Sequence, residues 1–218
     1  MKVLNLYAGV GGNRKLWEDV EVTAVEIVPE IEAIYQDLFP DDTVIVGDAH
    51  QYLLEHYDEF DFIWASPPCP SHSRMRRTFT VTRGQNPAIY PDMRLYQEIL
   101  FLQGYCKKLF CVENVVAWYD PLIKPQLVGR HYFWANFFIT DKDTKSTKIG
   151  KLGATQDYWI KRYGVDLSEY DLNGLRRDAL YKNMVDPELG KHILNCARGS
   201  TVIPLTAFSK SKRKDADE

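Results

Sequence analysis

The stretch KVLNLYAGVGG, residues 2–12, decides the fold class. Its first six residues are mostly apolar and predict a β-strand, and its glycines predict a tight turn. A helix is predicted from about Asn13. A strand that passes through a glycine-rich turn into a helix is typical of the first unit of an α/β sheet. The stretch therefore predicts a sheet that begins close to Met1.

The same alternation continues along the first two-thirds of the chain. Apolar runs predict four more strands, at residues 22–26, 43–46, 61–65 and 109–112. Apolar residues at helical spacing predict helices at residues 29–38, 92–107 and 186–197. An aromatic strand is predicted at residues 131–134. Strands that alternate with helices indicate an α/β doubly wound sheet with right-handed crossovers.

The composition limits the classes of function. The chain has 218 residues and a net charge of −3, so a basic surface for nucleic acid has to be local. Its four cysteines lack paired spacing, which predicts a reducing compartment, no disulfide framework and no metal site. Met1 leads straight into a strand, and no apolar stretch approaches the length that spans a bilayer. We expect a cytoplasmic protein that does not bind a membrane.

Three ligand groups follow three successive strands. The glycine-rich turn follows the first strand, Glu26 ends the second, and Asp48 follows the third. The carboxyl ends of parallel strands share one edge of a sheet, where ligands of this fold class bind. A carboxylate at Glu26 can accept from ribose hydroxyls and one at Asp48 from an adenine amino group. An adenosine-containing cofactor is predicted; a purely structural turn with two helix-capping or solvated carboxylates is the alternative.

Cys69 and Glu113 each follow or end a predicted strand. Cys69 lies in Ser66-Pro67-Pro68-Cys69-Pro70, and Glu113 begins the sequence Glu-Asn-Val. A thiol held by prolines at a strand end, with a carboxyl at the next strand end, suggests covalent attack on a pyrimidine ring. The thiol then needs an environment that lowers its pKa or supplies a base. The alternatives are a buried structural cysteine and a strand-end salt-bridge partner.

These motifs resemble those of the cytosine-C5 DNA methyltransferases and occur in that family's order. Tyr7 takes the aromatic position of the family's Phe-x-Gly-x-Gly-Gly motif, and Pro-Cys and Glu-Asn-Val are both present. Residues 126–130 resemble the Gln-x-Arg-x-Arg motif, with Val128 in place of the first arginine. The resemblance covers roughly residues 2–138 and 181–197. It implies a Rossmann-like, S-adenosylmethionine-dependent methyltransferase fold with a small recognition insertion.

The resemblance also implies roles for single residues. Cys69 would be the nucleophile, Glu113 would contact ring N3 and the exocyclic amine, and Arg130 would contact the cytosine carbonyl oxygen. Asn114 would hold the loop. The cofactor would be S-adenosylmethionine. Its predicted binding residues are Tyr7, Ala8, Gly9, Gly11, Gly12, Glu26, Ile27, Asp48, Ala49, Pro68 and Asn183.

Two basic segments are candidates for nucleic-acid contact. Residues 69–91 contain four arginines and no acidic residue, and in the family this loop closes over the substrate strand. Residues 140–180 replace a large target-recognition region with a short lysine-rich and aromatic one, and the alternative is a loop with a packing helix. The predicted contacts are Arg74, Arg76, Arg77, Arg83, Lys142, Lys145 and Lys148. A solvated basic loop is the alternative for the arginines.

The sequence therefore predicts a small DNA cytosine-C5 methyltransferase that flips its target base. Residues 1–139 would form the catalytic and cofactor-binding core, residues 140–180 a reduced recognition region, residues 181–208 a segment returning to the core, and residues 209–218 a disordered tail. DNA would be the partner, and a second subunit could supply target recognition. A bacterial or phage-infected host and a restriction-modification context fit such a chain. The alternatives are an RNA cytosine-C5 methyltransferase, a non-catalytic nucleic-acid-binding subunit and an enzyme acting on a free nucleotide.

Overall fold

A computed structural model of the chain describes residues 1–140 and 155–203. Within them one seven-stranded sheet has the order β3-β2-β1-β4-β5-β7-β6. Five strands are parallel to their neighbours: β1 (Lys2–Leu6), β2 (Glu21–Glu26), β3 (Thr43–Val46), β4 (Phe62–Ala65) and β5 (Leu109–Val115). Two more, β6 (Gln126–Val128) and β7 (His131–Ala135), complete the edge in antiparallel pairing. The prediction of a doubly wound α/β sheet is confirmed.

Seven α-helices lie within the described residues. They are α1 (Pro29–Leu38), α2 (Ala49–His56), α3 (Arg74–Arg83), α4 (Arg94–Tyr105), α5 (Gln156–Tyr163), α6 (Arg177–Asn183) and α7 (Pro187–Arg198). Helices α2 and α4 contribute Leu53, Ile99 and other apolar residues to one face of the sheet. The opposite face packs against α1 and α7, where Ile193 and Leu194 are buried. Two helical layers thus leave only the strand ends accessible.

The predicted helix after the glycine-rich turn is wrong. Only a short 3-10 turn forms, over Arg14–Leu16, before β2 begins at Glu21. Asn13 is buried and its amide donates to Asn5, while Gly190 of α7 lies directly against the Asn13 backbone. Helix α7 therefore fills the space beside β1 that a longer first helix would need. Tertiary packing overrides the local helical preference here.

Three helices, α2, α3 and α6, were not predicted. Asp48 and Ser73 cap the first turns of α2 and α3. In the short region before α6, Trp159 and Tyr163 are buried and stack on Tyr181 with nearly parallel rings. These aromatic rings belong to the core rather than to a base-stacking surface. The described part of this region thus favours the packing-helix alternative.

Candidate active site

The parallel strands bring the predicted site residues to one edge of the sheet. Tyr7 follows β1, Glu26 ends β2, Asp48 follows β3, Cys69 follows β4, and Glu113 lies near the end of β5. Strands β1 and β4 are neighbours, yet the connections that leave them run to opposite sides of the sheet. Such a switch point opens a crevice between the strand ends. Both predicted halves of the site therefore lie on that crevice.

Cys69 lies in a short segment, residues 66–73, which we call the cysteine loop. The loop begins at Ser66, whose hydroxyl accepts from the Trp64 indole at 2.7 Å. After the prolines it turns sharply, because the backbone carbonyl of Cys69 accepts from the amides of His72 and Ser73 at 3.0 and 3.1 Å. Helix α3 then starts at once. The cysteine is thus held between a buried strand and a helix start.

The segment that follows β5 clamps the cysteine loop. The Asn114 amide nitrogen donates to the Pro67 carbonyl at 2.9 Å, and the buried Asn114 oxygen accepts from the Val115 amide. Trp118 donates its backbone N–H to His72 and its indole N–H to Ser71. Three of these hydrogen bonds join the segment after β5 to the cysteine loop. The prediction that Asn114 holds the loop is confirmed.

The electrostatics at Cys69 differ from the sequence-based expectation. Burial raises the pKa of the Cys69 thiol, and the charge of Glu113 raises it further, to about 11. A thiolate is therefore disfavoured in this environment, and of the two predicted means of activation, a lowered pKa or a nearby base, the surroundings leave the base. Glu113 is 7% exposed. A group that accepts the thiol proton is needed, and Glu113 is the charged side chain that the thiol senses.

His131 is a neighbour of Glu113 that the sequence did not reveal. It opens β7 and pairs with Val115, while Glu113 pairs with Phe133, so the two side chains are diagonal neighbours on one sheet face. His131 Nε2 lies 3.8 Å from Glu113 Oε1. Only the antiparallel register between β5 and β7 could have indicated this contact. Arg130, one residue earlier, is exposed in the turn between β6 and β7, and its contact with a cytosine stays a prediction.

A cavity of about 230 Å³ lies beside the cysteine loop. Six of the residues predicted to bind the cofactor line it: Tyr7, Glu26, Ile27, Asp48, Ala49 and Pro68. The lining further includes Val25, Gly47, Pro67, His72, Asp92, Arg94 and Leu95, which the sequence did not single out. The cavity therefore runs from the ends of β2 and β3 to the prolines that precede the cysteine.

The glycine-rich turn supports this cavity rather than lining it. Ala8, Gly9, Gly11 and Gly12 are absent from the cavity wall. A Cβ at Gly11 would lie 2.2 Å from the Phe39 ring, and one at Gly12 would lie 2.5 Å from the Val185 carbonyl. These two glycines allow other parts of the protein, not a ligand, to approach the backbone. A Cβ at Gly9 would meet no atom of the described residues within 4 Å, so a ligand could approach the backbone there.

The two predicted cofactor carboxylates also have structural partners. Glu26 accepts from the backbone amides of Gly9 and Val28, both at 3.0 Å. Asp48 caps α2 by accepting from the amides of His50 and Gln51. The capping role considered as an alternative for Asp48 is therefore real. A carboxylate oxygen has a second lone pair, so these contacts leave capacity for a ligand.

A buried network fixes the first residue after β1. The Tyr7 hydroxyl donates to Glu98 of α4, and His50 Nδ1 lies 2.9 Å from the same carboxylate oxygen. Burial raises the pKa of Glu98 and of Tyr7. The network joins β1, α2 and α4 around one end of the cavity. The hydrogen bond to Glu98 therefore explains why a tyrosine takes the aromatic position of the motif in this chain.

Asn183 does not reach the cavity. It is the last residue of α6, it is exposed, and it is absent from the cavity wall. The residues that follow it, Met184 and Val185, lie directly against Gly12. The segment therefore returns to the glycine-rich turn as the resemblance implies. Its contact with a cofactor stays a prediction.

The arginines beside the cysteine loop lie on a helix instead of an irregular loop. Arg74 donates to the Ala117 carbonyl and Arg76 to the Pro87 carbonyl. The Arg77 guanidinium lies 5.0 Å from the Trp118 ring centroid, and that of Arg83 lies 5.0 Å from the Phe79 ring. Helix α3 therefore presents a basic surface next to the cysteine loop. The predicted lysines Lys142, Lys145 and Lys148 lie outside the described residues.

The chemistry of the cavity fits S-adenosylmethionine. Ile27, which is 62% exposed, offers an apolar wall to an adenine ring, together with Val25 and Leu95. Carboxylates at Glu26, Asp48 and Asp92 suit ribose hydroxyls, an amino group and a positively charged sulfur. Arg94 suits a carboxylate. The donors and acceptors of the lining therefore match the groups of this cofactor.

The chain is similar to several solved structures over about half of its length, three of which follow. A methyltransferase of Entamoeba histolytica is 15% identical, with a TM-score of 0.35, and the match covers 53% of this chain and 38% of that one. The corresponding values for DNMT2 of Spodoptera frugiperda are 22%, 0.34, 52% and 35%. For an S-adenosylmethionine-dependent methyltransferase of Agrobacterium tumefaciens they are 15%, 0.38, 55% and 40%. The matches thus span less than half of each of these chains.

Two further findings concern curated proteins and membrane-spanning helices. No curated protein matches the chain. In residues 1–140 and 155–203, none of the helices is long and apolar enough to cross a membrane.

A family model gives the assignment. The model of the C-5 cytosine-specific DNA methylases matches residues 1–120, which is more than half of the 218 residues. The matched part contains the whole cavity wall, Cys69 and Glu113. The methyl donor of this family and fold is S-adenosylmethionine. On this match, the chain belongs to the C-5 cytosine-specific DNA methylase family.

Proposed function

We propose that the chain transfers a methyl group from S-adenosylmethionine to C5 of cytosine in DNA. The observation that carries this proposal is the pairing of two groups on adjacent strand ends. The Cys69 thiol senses the charge of the nearly buried Glu113, and a cavity that fits the cofactor adjoins the same loop. A thiol and a carboxyl at adjacent strand ends suit addition to a pyrimidine ring, because the thiol attacks carbon while the carboxyl exchanges a proton with the ring nitrogen.

The Cys69 thiol gives its proton to the Glu113 carboxylate, and the sulfur electron pair forms a bond to C6. The C5=C6 pair then moves to the C4–C5 bond, and the C4=N3 pair takes the proton at N3 from Glu113. C5 becomes electron-rich and accepts the methyl group that the bound cofactor supplies. Solvent then takes the C5 proton, the C5–H electron pair re-forms the C5=C6 bond as the sulfur leaves C6, and the N3 proton returns through Glu113 to the sulfur. Glu113 thus returns to its starting state in each cycle.

The remaining residues orient the ring. Asn114 holds Pro67 and keeps the cysteine loop in register with β5. Arg130 would donate to the carbonyl oxygen of the ring, where negative charge grows as the thiolate adds. Such contacts need a geometry fixed to within a fraction of an ångström, because small displacements cost large factors in rate. The clamp on the cysteine loop supplies that rigidity.

Cytosine C6 is inaccessible within a stacked duplex, so the base has to leave the stack. The basic surface of α3 adjoins the cysteine loop, and arginines there would hold the phosphates on either side of the extruded nucleotide. Arg77 and Arg83 rest on aromatic rings, which limits their freedom without removing their charge. Contact with phosphates gives affinity but no sequence choice.

A second candidate substrate is RNA. In the described part of residues 140–180, Trp159 and Tyr163 are buried, which leaves few side chains to read bases in a major groove. A folded RNA recognised by its shape needs fewer such side chains. A partner subunit that supplies target recognition would have the same effect for DNA, and it would fit a restriction-modification context.

The test compares substrates directly. The protein is incubated with methyl-labelled cofactor and with duplex DNA, single-stranded DNA or transfer RNA, and label in each is counted. Cys69→Ser serves as the inactive control. We expect the duplex to be labelled and bisulfite sequencing to show the product at cytosines. If only transfer RNA were labelled, the substrate would be RNA and not DNA. If no cytosine were labelled in any substrate, the proposed reaction would be contradicted.

A further inference from the structure

His131 lies beside the carboxyl of Glu113. Its Nε2 lies 3.8 Å from Glu113 Oε1, and its Nδ1 is buried without a partner among the described residues. The imidazole is 24% exposed and the Glu113 side chain 9% exposed. A side chain that can accept a proton therefore lies next to the carboxyl that the reaction uses.

Glu113 lies between two proton-exchanging groups. On one side its charge acts on the Cys69 thiol, and on the other side it approaches His131. Cys69 in the cysteine loop and Cys111 on β5 both sense the charge of Glu113, which raises the pKa of each thiol.

We propose that His131 is a positioning residue that takes up, through Glu113, the proton leaving Cys69 during attack on the base. This inference rests on the proposed function for its substrate, but the proton transfer itself concerns residues of the chain alone. The S–H bond breaks, the proton passes to Glu113, and the electron pair stays on sulfur. Glu113 then shares the proton with His131 Nε2 until ring N3 receives it.

The ordinary pKa values of the three groups explain why a histidine makes the proton transfer from Cys69 less costly. Transfer from a thiol to an isolated carboxylate is uphill by the difference between their ordinary pKa values, about 4 units. A neutral imidazole next to the carboxylate is a stronger base than the carboxylate by about 2 units. The ion pair of an imidazolium with Glu113 is thus the less costly place for the proton. Cys69 then becomes a thiolate without the site as a whole gaining or losing a proton.

The geometry needs one small adjustment. A separation of 3.8 Å is longer than a hydrogen bond, so His131 and Glu113 must approach by somewhat less than 1 Å. Such contacts tighten when a substrate is bound. The backbone of Glu113 is fixed by its pairing with Phe133, so the approach would come from rotation of the side chains.

The first test needs no nucleic acid. Alkylation of Cys69 by iodoacetamide is followed from pH 5 to 11, and digestion with mass spectrometry separates Cys69 from the other three cysteines. In the wild type, proton uptake by His131 should give a shoulder of thiolate reactivity near neutral pH, below the main rise. In His131→Asn the shoulder should vanish, and alkylation at pH 7.5 should slow roughly three- to tenfold. His56→Asn, a change at a surface histidine paired with Glu59, is the control.

The second test is the pH profile of kcat/KM for cytosine methylation. His131 has to be neutral to accept the proton, so the rate of the wild type should fall toward acidic pH. In His131→Asn the acidic limb should move down by about 1 pH unit or more and the plateau should fall at least tenfold. If His131 had only a structural role, His131→Asn would lower the plateau of kcat/KM and leave the acidic limb at the same pH.

The outcomes separate this inference from the proposed function. Identical alkylation profiles for wild type and His131→Asn overturn the inference, whatever the turnover shows. A lost shoulder combined with no methylation of any cytosine substrate supports the proton transfer and refutes only the cytosine chemistry. An acidic limb unchanged in an active His131→Asn also overturns the inference. If Asn disturbs the fold, His131→Gln provides the same comparison.

Discussion

Asn114→Asp is the substitution that most directly tests how the cysteine loop is held. The amide and the carboxyl have nearly the same shape, so packing is preserved. The change removes the N–H donor that contacts the Pro67 carbonyl at 2.9 Å and places an oxygen there instead. Asn114 is 2% exposed, so neither oxygen can turn to water. The effect is therefore electrostatic and local.

The magnitude follows from two contributions. An unsatisfied buried carbonyl costs about 1–3 kcal/mol, and a charge without a partner adds to it, so we expect a loss of about 2–4 kcal/mol at pH 8. At low pH the new carboxyl is protonated and its O–H can donate to Pro67 again. Burial raises the folded-state pKa of this carboxyl above its unfolded value of about 3.9. Stability is then retained below the unfolded pKa and is lost as pH rises, by at most about 1.4 kcal/mol per unit.

The assay is urea unfolding of wild type and variant at pH 5, 6.5 and 8. Asn195→Asp is the matched control, because it makes the same chemical change at an exposed position of α7. We expect the stability difference between Asn114→Asp and wild type to grow with pH and that of the control to stay within about 0.5 kcal/mol. A loss at Asn114 that equals the control, or one that does not depend on pH, would refute the clamp as described.

Three further predictions concern chemistry and binding. Cys69→Ser should abolish methylation while the fold and cofactor affinity persist, and 5-fluorocytosine in an oligonucleotide should trap the wild type covalently; turnover by the variant with no trapped adduct would contradict this. Glu26→Gln and Asp48→Asn should each weaken cofactor binding by about 1–3 kcal/mol in calorimetry, and unchanged affinity in both would make these carboxylates structural only. Arg77→Gln combined with Arg83→Gln should weaken DNA binding similarly for all sequences and flatten its salt dependence, whereas a sequence-selective loss would assign base reading to α3.

The sequence predicts the sheet edge well because its signals there are local. Strand β3 begins and ends at Thr43 and Val46 as predicted, and Pro29 opens α1. Once parallel strands are established, their carboxyl ends must meet, and so Glu26, Asp48 and Cys69 are brought together. Six predicted residues then line one cavity. None of this requires knowledge of contacts between distant parts of the chain.

The failures have long-range causes. The helix expected after Asn13 is displaced by α7, and Gly190 touches Asn13 although 177 residues separate them. Likewise Gly12 is required by Val185 and not by a ligand. The N-cap at Asp48 was a local signal that could have revealed α2, since Asp before a helix start is a strong cap. Helix α3 was obscured by its three β-branched threonines, whose helix propensity is low.

The raised pKa of Cys69 changes what the site has to accomplish. Burial and the Glu113 charge raise the pKa of Cys69 to about 11, so the thiol has to pass its proton to a neighbouring group before it attacks. The same burial and the same Glu113 charge that protect the thiol oppose the attack. Both obstacles weaken when Glu113 gains a proton, because the carboxyl then no longer repels a thiolate. Proton movement from Cys69 to Glu113 thus activates the nucleophile and prepares the acid for N3 in one step.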